Sequence, residues 1–326
     1  MPQGAKYATI MSNVSKEIKM HYYPDYYFDF KCIASKCRHN CCIGWEIDID
    51  DDTLSLYKNI EGEFSKRFKD SISFKQTPHF VLDKNERCPF LNDENLCDII
   101  CTLGEDYLCD ICAQHPRFHN ELPNRIESGL GLCCEQACRM ILSKKEKLTF
   151  VCKKDCKTDD EIILLRDKVI SVLQNREKNI NKRISDMLSL CDAKPTDYSI
   201  ERWCNLLLSL ECMDEKWTEI IKKTKENYHN ADLKAFDEYM QNRQHEYEQF
   251  AVYLIYRHFA NSPDLSQAKK RACFTKFAYE MLYAIGAVIF STTNEFDFEA
   301  QVEIARLFSS EIEYSDENIY TIYAIF

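Results

Sequence analysis

Fourteen of the 18 cysteines in this 326-residue chain lie between Cys32 and Cys156, and only Cys191, Cys204, Cys212 and Cys273 are spread through the rest. Such crowding leaves two ways to fold the first half: disulfides that staple the backbone, or reduced thiolates gathered around a metal. Compartment decides between them. Residues 1–20 contain no apolar stretch leading to a small-residue cleavage site, so no secretory signal is read there. The longest apolar run, 278–290, is interrupted by Tyr279, Glu280 and Tyr283 and is too short to span a bilayer. The expectation is a cytoplasmic protein without a membrane partner, in which clustered thiols hold metal.

A formal net charge of -11 argues against a nucleic-acid partner, because phosphate contacts need a concentrated positive surface. The lysine-rich stretch 144–157 is a local exception, and it reads as a solvated helix end and linker.

The organisation changes along the chain. Leu56, Ile60, Phe64 and Phe68 follow the cap candidates Asp51 and Asp52 at helical spacing, which predicts one amphipathic helix over 53–71. Segments 98–114 and 134–147 also read as helical, while 32–45 and 79–95 read as irregular loops with short extended pieces. Beyond Asp159, Ile162, Leu165, Val169, Leu173, Ile180, Ile184 and Met187 can share one stripe. Further helices are expected over 200–212, 233–259, 265–290 and 296–308, with breaks near Pro195 and Pro263. The predicted fold is mainly α: an irregular cysteine-rich metal-binding domain over 22–157, followed by an α-helical bundle over 158–326.

Thiolates are soft ligands, and four of them complete either a zinc site or an iron–sulfur cluster. Cys109 and Cys112 have CxxC spacing without the downstream pair of a zinc ribbon. Four CxxxC pairs occur, at Cys37, Cys97, Cys134 and Cys152, but none continues to the CxxxCxxC of radical S-adenosylmethionine enzymes. Gly129-x-Gly131 lacks the third glycine of a nucleotide-binding turn, and seven glycines in the whole chain argue against a Rossmann-type methyltransferase.

The ordered motifs say more than their spacings. C-I-A-S-K-C-R-H-N-C-C-I-G-W from Cys32, C-P-F-L from Cys88, T-L-G-E-D-Y-L-C-D-I-C-A-Q-H-P-R-F from Thr102 and L-G-L-C-C-E-Q-A-C-R from Leu130 follow one another. Together they closely resemble the flagellin lysine-N-methylase family, itself related to cysteine-rich iron- or zinc-chelating domains. The matching blocks cover about residues 26–142, with a weaker match in Y-L-I-Y-R-H-F over 253–259. The resemblance implies methyl transfer from S-adenosylmethionine to lysine side chains of flagellin, with an iron–sulfur cluster, a 4Fe-4S cluster or alternatively zinc, in the enzyme. Position by position it implies Cys32, Cys37, Cys41, Cys42, Cys88, Cys97, Cys112 and Cys134 as metal ligands. Cys101, Cys109, Cys133 and Cys138 fall outside that pattern and read as core or auxiliary cysteines. Where the family commonly has C-P-E, this chain has Cys134, Glu135 and Gln136.

Methylating lysine requires a neutral amine aligned with the sulfonium methyl, so a site must desolvate the amine and accept its proton. Glu46 and Glu135 are the candidate catalytic carboxylates. Trp45 is a candidate to hold the sulfonium by cation–π attraction, and Arg117 to bind the donor's carboxylate as a bidentate pair. Each of the four also has an ordinary structural role open to it, as cap, core ring or ion pair. His39 and His115, beside matched cysteines, are candidate ligands or proton carriers, and His258 is expected to pack at a helix end. The cluster is expected to fasten loops. The competing function is a non-enzymatic zinc- or iron-binding interaction module, which explains the cysteine spacings equally well but not the order of the motifs.

Overall fold

The computed structural model describes residues 20–75, 77–152 and 158–326. Residues 1–19, on which the secretory-signal expectation rests, and 153–157, with Cys156 and the end of the lysine-rich stretch, lie outside them. Among the described residues the chain is mostly helical, as expected, but it also carries a four-stranded mixed sheet that the sequence does not announce. Its strands are β1 (Met20–Pro24), β4 (Arg117–Glu121), β5 (Arg125–Leu130) and β6 (Phe150–Cys152), in the order β4-β5-β1-β6. β4 and β5 form an antiparallel hairpin, β1 runs parallel to β5 from Met20↔Arg125, and β6 is antiparallel to β1. Phe118 pairs with Gly129, and its ring occupies the space that a Cβ at Gly129 would fill.

Between β1 and β4 the chain builds a small lobe with its own core of Ile47, Ile49, Leu54, Tyr57, Phe68, Phe80, Cys88, Phe90, Leu91, Ile99 and Cys109. The helix expected over 53–71 is two helices, α1 (Asp51–Lys58) and α2 (Glu63–Ser71), because the chain turns at Gly62 with φ of 81°. β2 (Ile72–Ser73) pairs with β3 (His79–Phe80), and the expected 98–114 helix divides into α3 (Asp98–Thr102) and α4 (Asp110–Gln114). Asp50 caps α1 by accepting from the Thr53 amide and also accepts from the Asp110 amide at 2.9 Å, so one carboxylate joins the starts of α1 and α4. Tyr57 and Phe68 stack with centroids 3.9 Å apart, and Phe90 adjoins Phe68 at 4.7 Å.

Apart from a small cluster of Leu122, Ile163 and Ala260, the remaining buried apolar residues share one larger core. It runs from Tyr26 and Tyr27 through Leu130, Leu132 and the buried face of α5 (Glu135–Ser143) into the helices of the second half. In packing, strands of the sheet and α5 share a core with the helices, while the lobe between β1 and β4 keeps its own. The stripe that begins at Ile162 is broken into α6 (Glu161–Leu173) and α7 (Ile180–Leu190), each capped by a side chain, Asp160 and Asn179. α8 (Ile200–Leu207), the unanticipated α9 (Glu215–Asn227), and α10 (Leu233–Met240) lead to α11 (Gln244–His258), which is buried almost all round. α12 (Leu265–Thr293) is longer than the apolar run inside it. It is the one described helix long and apolar enough to cross a membrane, and 72% of its apolar window is buried within the protein, as in a core helix. α13 (Phe298–Phe308), a π-helical turn (Ser309–Glu313) and α14 (Asp316–Ile325) complete the chain.

Two ion networks fix these parts to one another. On the sheet side, Arg166 of α6 makes a bidentate pair with Glu127 of β5 at 2.6 and 2.8 Å, and Arg125 reaches the same carboxylate at 2.6 Å, all three side chains being buried. On the lobe side, Glu135 accepts from the Arg38 amide and guanidinium and from Arg139, both arginines reach Glu299 of α13, and His39 meets Glu303 at 2.7 Å beside Arg306 and Lys216. Burial opposes ionisation of Glu135 and Glu303, but these donors outweigh it and hold both carboxyls below their usual 4.5.

Glu127→Gln takes the carboxylate away from buried Arg125 and leaves Arg166 only its pair with Asp167 at 2.7 Å, and is expected to destabilise the fold by about 3–5 kcal/mol; a shift below about 1 kcal/mol in urea unfolding would remove this pair from its structural role. Because Glu135 and Glu303 have depressed folded-state pKa values, their contribution is fully present above pH 4.5 and is lost as pH falls through the lower folded values. Glu303→Gln should therefore flatten the fall in melting temperature between about pH 5 and 3. An unchanged acid slope would show that the seam does not carry it.

Candidate functional site

The eight matched cysteines are all free thiols, whereas Cys152, outside that set, is disulfide-bonded. Backbone contacts and mutual electrostatic influence relate the eight as two neighbourhoods of four. Cys42, Cys88, Cys97 and Cys112 sit in the lobe. The Cys88 amide donates to the Cys42 carbonyl at 2.8 Å, a bridge between Leu91 and Cys97 closes the turn that returns Cys97 toward Cys88, and α4 carries Cys112. Charge on Cys42 is opposed by Cys88 and Cys97, and charge on Cys112 by Cys42 and Cys88. Cys109, unmatched in sequence, joins this group by a thiol–thiol hydrogen bond to Cys112.

Cys32, Cys37, Cys41 and Cys134 gather at the seam with the helical body. Cys37 feels Cys41 and Cys32, and Cys134, at the N-cap of α5, feels Cys37. The Cys37 thiol donates to the His39 carbonyl at 3.2 Å. Adjacent Cys41 and Cys42 share a hydrogen bond that lowers the pKa of the first and raises that of the second, so this pair is the junction of the two groups.

Burial is the main reason why Cys88 is pushed up to about 11 and Cys134 to about 12, and neighbouring thiolates push in the same direction. A set of soft donors that resist ionisation together is relieved by a cation among them. In chemistry the thiols are soft donors of the kind that zinc and iron–sulfur clusters take. Among the described residues, no three His, Cys, Asp or Glu side chains stand together at metal-holding positions.

The other candidates separate. The Trp45 indole donates to the Cys41 carbonyl at 2.6 Å and its ring lies 6.2 Å from that of His115. Burial, then the charge of Arg117, lowers the His115 pKa to about 4, so its imidazole is neutral at pH 7. Trp45 and Arg117 are thus both neighbours of His115. Arg117 stands over the rings of Tyr27 and Phe30 at 6.0 and 5.4 Å and has no carboxylate partner among the described residues. Glu46 and Glu135 are not brought together: Glu46 is largely exposed with His79 3.9 Å away, whereas Glu135 is buried in the seam network. His258 lies in the last turn of α11, as expected, but it also binds the buried carboxylate of Glu313 at 2.6 Å.

Sequence reasoning missed what lies across the seam from the cysteine loop. Tyr314 caps the π-helical turn, its hydroxyl meets the Cys133 thiol in a hydrogen bond, and its ring lies 4.6 Å from the guanidinium carbon of Arg257. Arg257 also covers Phe118 at 5.1 Å and donates to the Tyr253 hydroxyl at 2.6 Å, and Tyr253 bonds Glu313. The only sequence signal was Gly131, where a Cβ would overlap the Tyr314 hydroxyl.

No solved structure matches the chain significantly. The lysine-N-methylases of Salmonella typhimurium strain LT2 and Salmonella choleraesuis strain SC-B67 are each 27% identical to it over 138 residues, which is 38% of this chain. The chain covers 33% of the length of each. The flagellar biosynthetic protein FliU of Salmonella muenchen is 28% identical over 138 residues, 40% of this chain and 82% of that protein. The family match falls on the helical half, where sequence motifs showed only the short Y-L-I-Y-R-H-F similarity, and not on the cysteine blocks. Residues 195–326 match the family model of the FliB lysine N-methylase C-terminal domain.

Proposed function

We propose that this protein transfers methyl groups from S-adenosylmethionine to lysine side chains of flagellin in the cytoplasm. The observation that carries it is the FliB lysine N-methylase C-terminal domain over 195–326. The names of the relatives, lysine-N-methylase and flagellar biosynthetic protein, support the reaction and the substrate. The seam supports it independently, since it sets an arginine without a carboxylate partner among the described residues, and an aromatic ring, beside a neutral histidine.

Within this proposal Arg117 receives the amino-acid carboxylate of the methyl donor. Its guanidinium is half-buried over two rings, and no carboxylate of the described chain competes for it. Trp45 presents a ring near the same place, anchored through its indole nitrogen. Glu135 is assigned to anchoring: two arginines and a backbone amide occupy its oxygens, which leaves it a poor proton acceptor. Exposed Glu46 remains accessible to an incoming lysine. S-adenosylmethionine supplies the electrophilic methyl when bound. An iron–sulfur cluster held by Cys42, Cys88, Cys97 and Cys112 would cross-link the lobe's loops; the second group, Cys32, Cys37, Cys41 and Cys134, would do the same across the seam.

Protein purified anaerobically is expected to contain iron and sulfide in stoichiometric amounts, and to incorporate methyl groups into purified flagellin. Zinc alone would end the iron–sulfur assignment, and no methyl incorporation with the metal intact would leave a metal-binding interaction module. Arg117→Ala should raise the KM for S-adenosylmethionine by about tenfold to a hundredfold, corresponding to about 1.5–3 kcal/mol for a charge-assisted contact, while the KM for flagellin stays the same. An unchanged donor KM would release Arg117 from this role.

A further inference from the structure

We propose that Tyr314 is a catalytic residue whose hydroxyl oxygen accepts an N–H from the target lysine amine and thereby aims the nitrogen lone pair at the methyl group. The inference rests on the methyltransferase function above and names the group that holds its substrate.

Three observations converge on it. Tyr314 is the residue that ends the π-helical turn Ser309–Glu313, and such turns inside helical segments are frequent at functional sites. The residue as a whole is 43% exposed, while its hydroxyl turns inward toward Gly131 and the cysteine loop at Cys133. Its position is also enforced from both sides. The ring rests on Arg257, which is itself held by Tyr253 and by the buried carboxylate of Glu313 at 3.5 Å, whose same oxygen meets His258 at 2.6 Å. The hydroxyl fills the space left open by Gly131. A rigid polar atom at the mouth of a buried network is the arrangement that positioning a nucleophile demands.

The hydrogen bond gives the hydroxyl a direction. A phenol has one proton, and if it goes to the Cys133 sulfur the oxygen lone pairs face outward as acceptors. The substrate ammonium loses one proton to water before reaction, and one remaining N–H is held by Tyr314. The amine lone pair then forms the N–C bond while the S–C bond breaks, leaving its electron pair on the sulfur of the spent donor and the positive charge on the methylated amine.

The experiment compares wild type, Tyr314→Phe and Gly131→Ala, with flagellin and a lysine-containing peptide as acceptors. Tyr314→Phe keeps the ring on Arg257, and is expected to lower kcat about a hundredfold or more with unchanged S-adenosylmethionine affinity and melting temperature. Gly131→Ala, which puts a methyl group where the hydroxyl stands, should reproduce the loss. If wild type is active and Tyr314→Phe keeps kcat within about threefold, or loses donor affinity in step with rate, the assignment of Tyr314 is overturned and the function stands. If wild type methylates neither acceptor, the functional proposal itself fails, and this one with it.

Discussion

The buried pair between Glu127 and Arg166 is the constraint on which the rest of the architecture depends. β5 is a strand of R-I-E-S-G-L, with two charges and a serine turned into the protein, and it is tolerable there only because α6 supplies a guanidinium in bidentate geometry and Arg125 a second. Fixing β5 also fixes the segment after it. The next residues are Gly131, Leu132, Cys133 and Cys134, and then α5, whose first residue is Glu135. The thiols at the seam and the carboxylate that anchors them are therefore placed by an ion pair on the sheet.

From that base the cysteine-rich lobe is attached electrostatically more than by apolar packing. Its own core is a small aromatic stack, separate from the main core, and the seam is crossed by Arg38, His39, Glu135, Arg139, Glu299 and Glu303. A lobe held this way keeps its loops solvent-accessible while the helical body stays rigid behind them. The same design recurs in α11, where the buried Glu248 binds Arg176 and Arg183 and so ties α11 to α7. Sites built on supports of this kind are held in one geometry because each charged partner is expensive to release.

The split of eight thiols into two groups comes from the same arrangement. Cys41 and Cys42 are consecutive, yet the backbone sends Cys42 to a hydrogen bond with Cys88 in the lobe while Cys41 stays with Cys37 at the seam. One dipeptide thus belongs to both neighbourhoods. Tyr314 and Arg257 come from the helical half to the edge of the second group, which makes the seam a place where both halves contribute polar side chains.

What the sequence by itself determined was whatever depends on local pattern. The helices of the second half were legible because apolar residues recur at helical spacing and caps such as Asp160, Asn179 and Asp297 mark their starts. The ordered cysteines of the first half, with Trp45, Arg117 and the H-P-R-F segment, were legible as a chemical block. The sheet was not, because β5 buries charges that local polarity assigns to the surface, and a strand of that kind becomes stable only when Arg166, 39 residues away, arrives to neutralise it. Nor could Tyr314 be found, since it is an ordinary tyrosine until the π-helical turn carries it over Gly131 and Arg257 is held beneath it. Periodicity is a property of neighbours in the chain; the pairing of buried charges and the partner of a hydroxyl are properties of neighbours in space, and only the tertiary structure decides them.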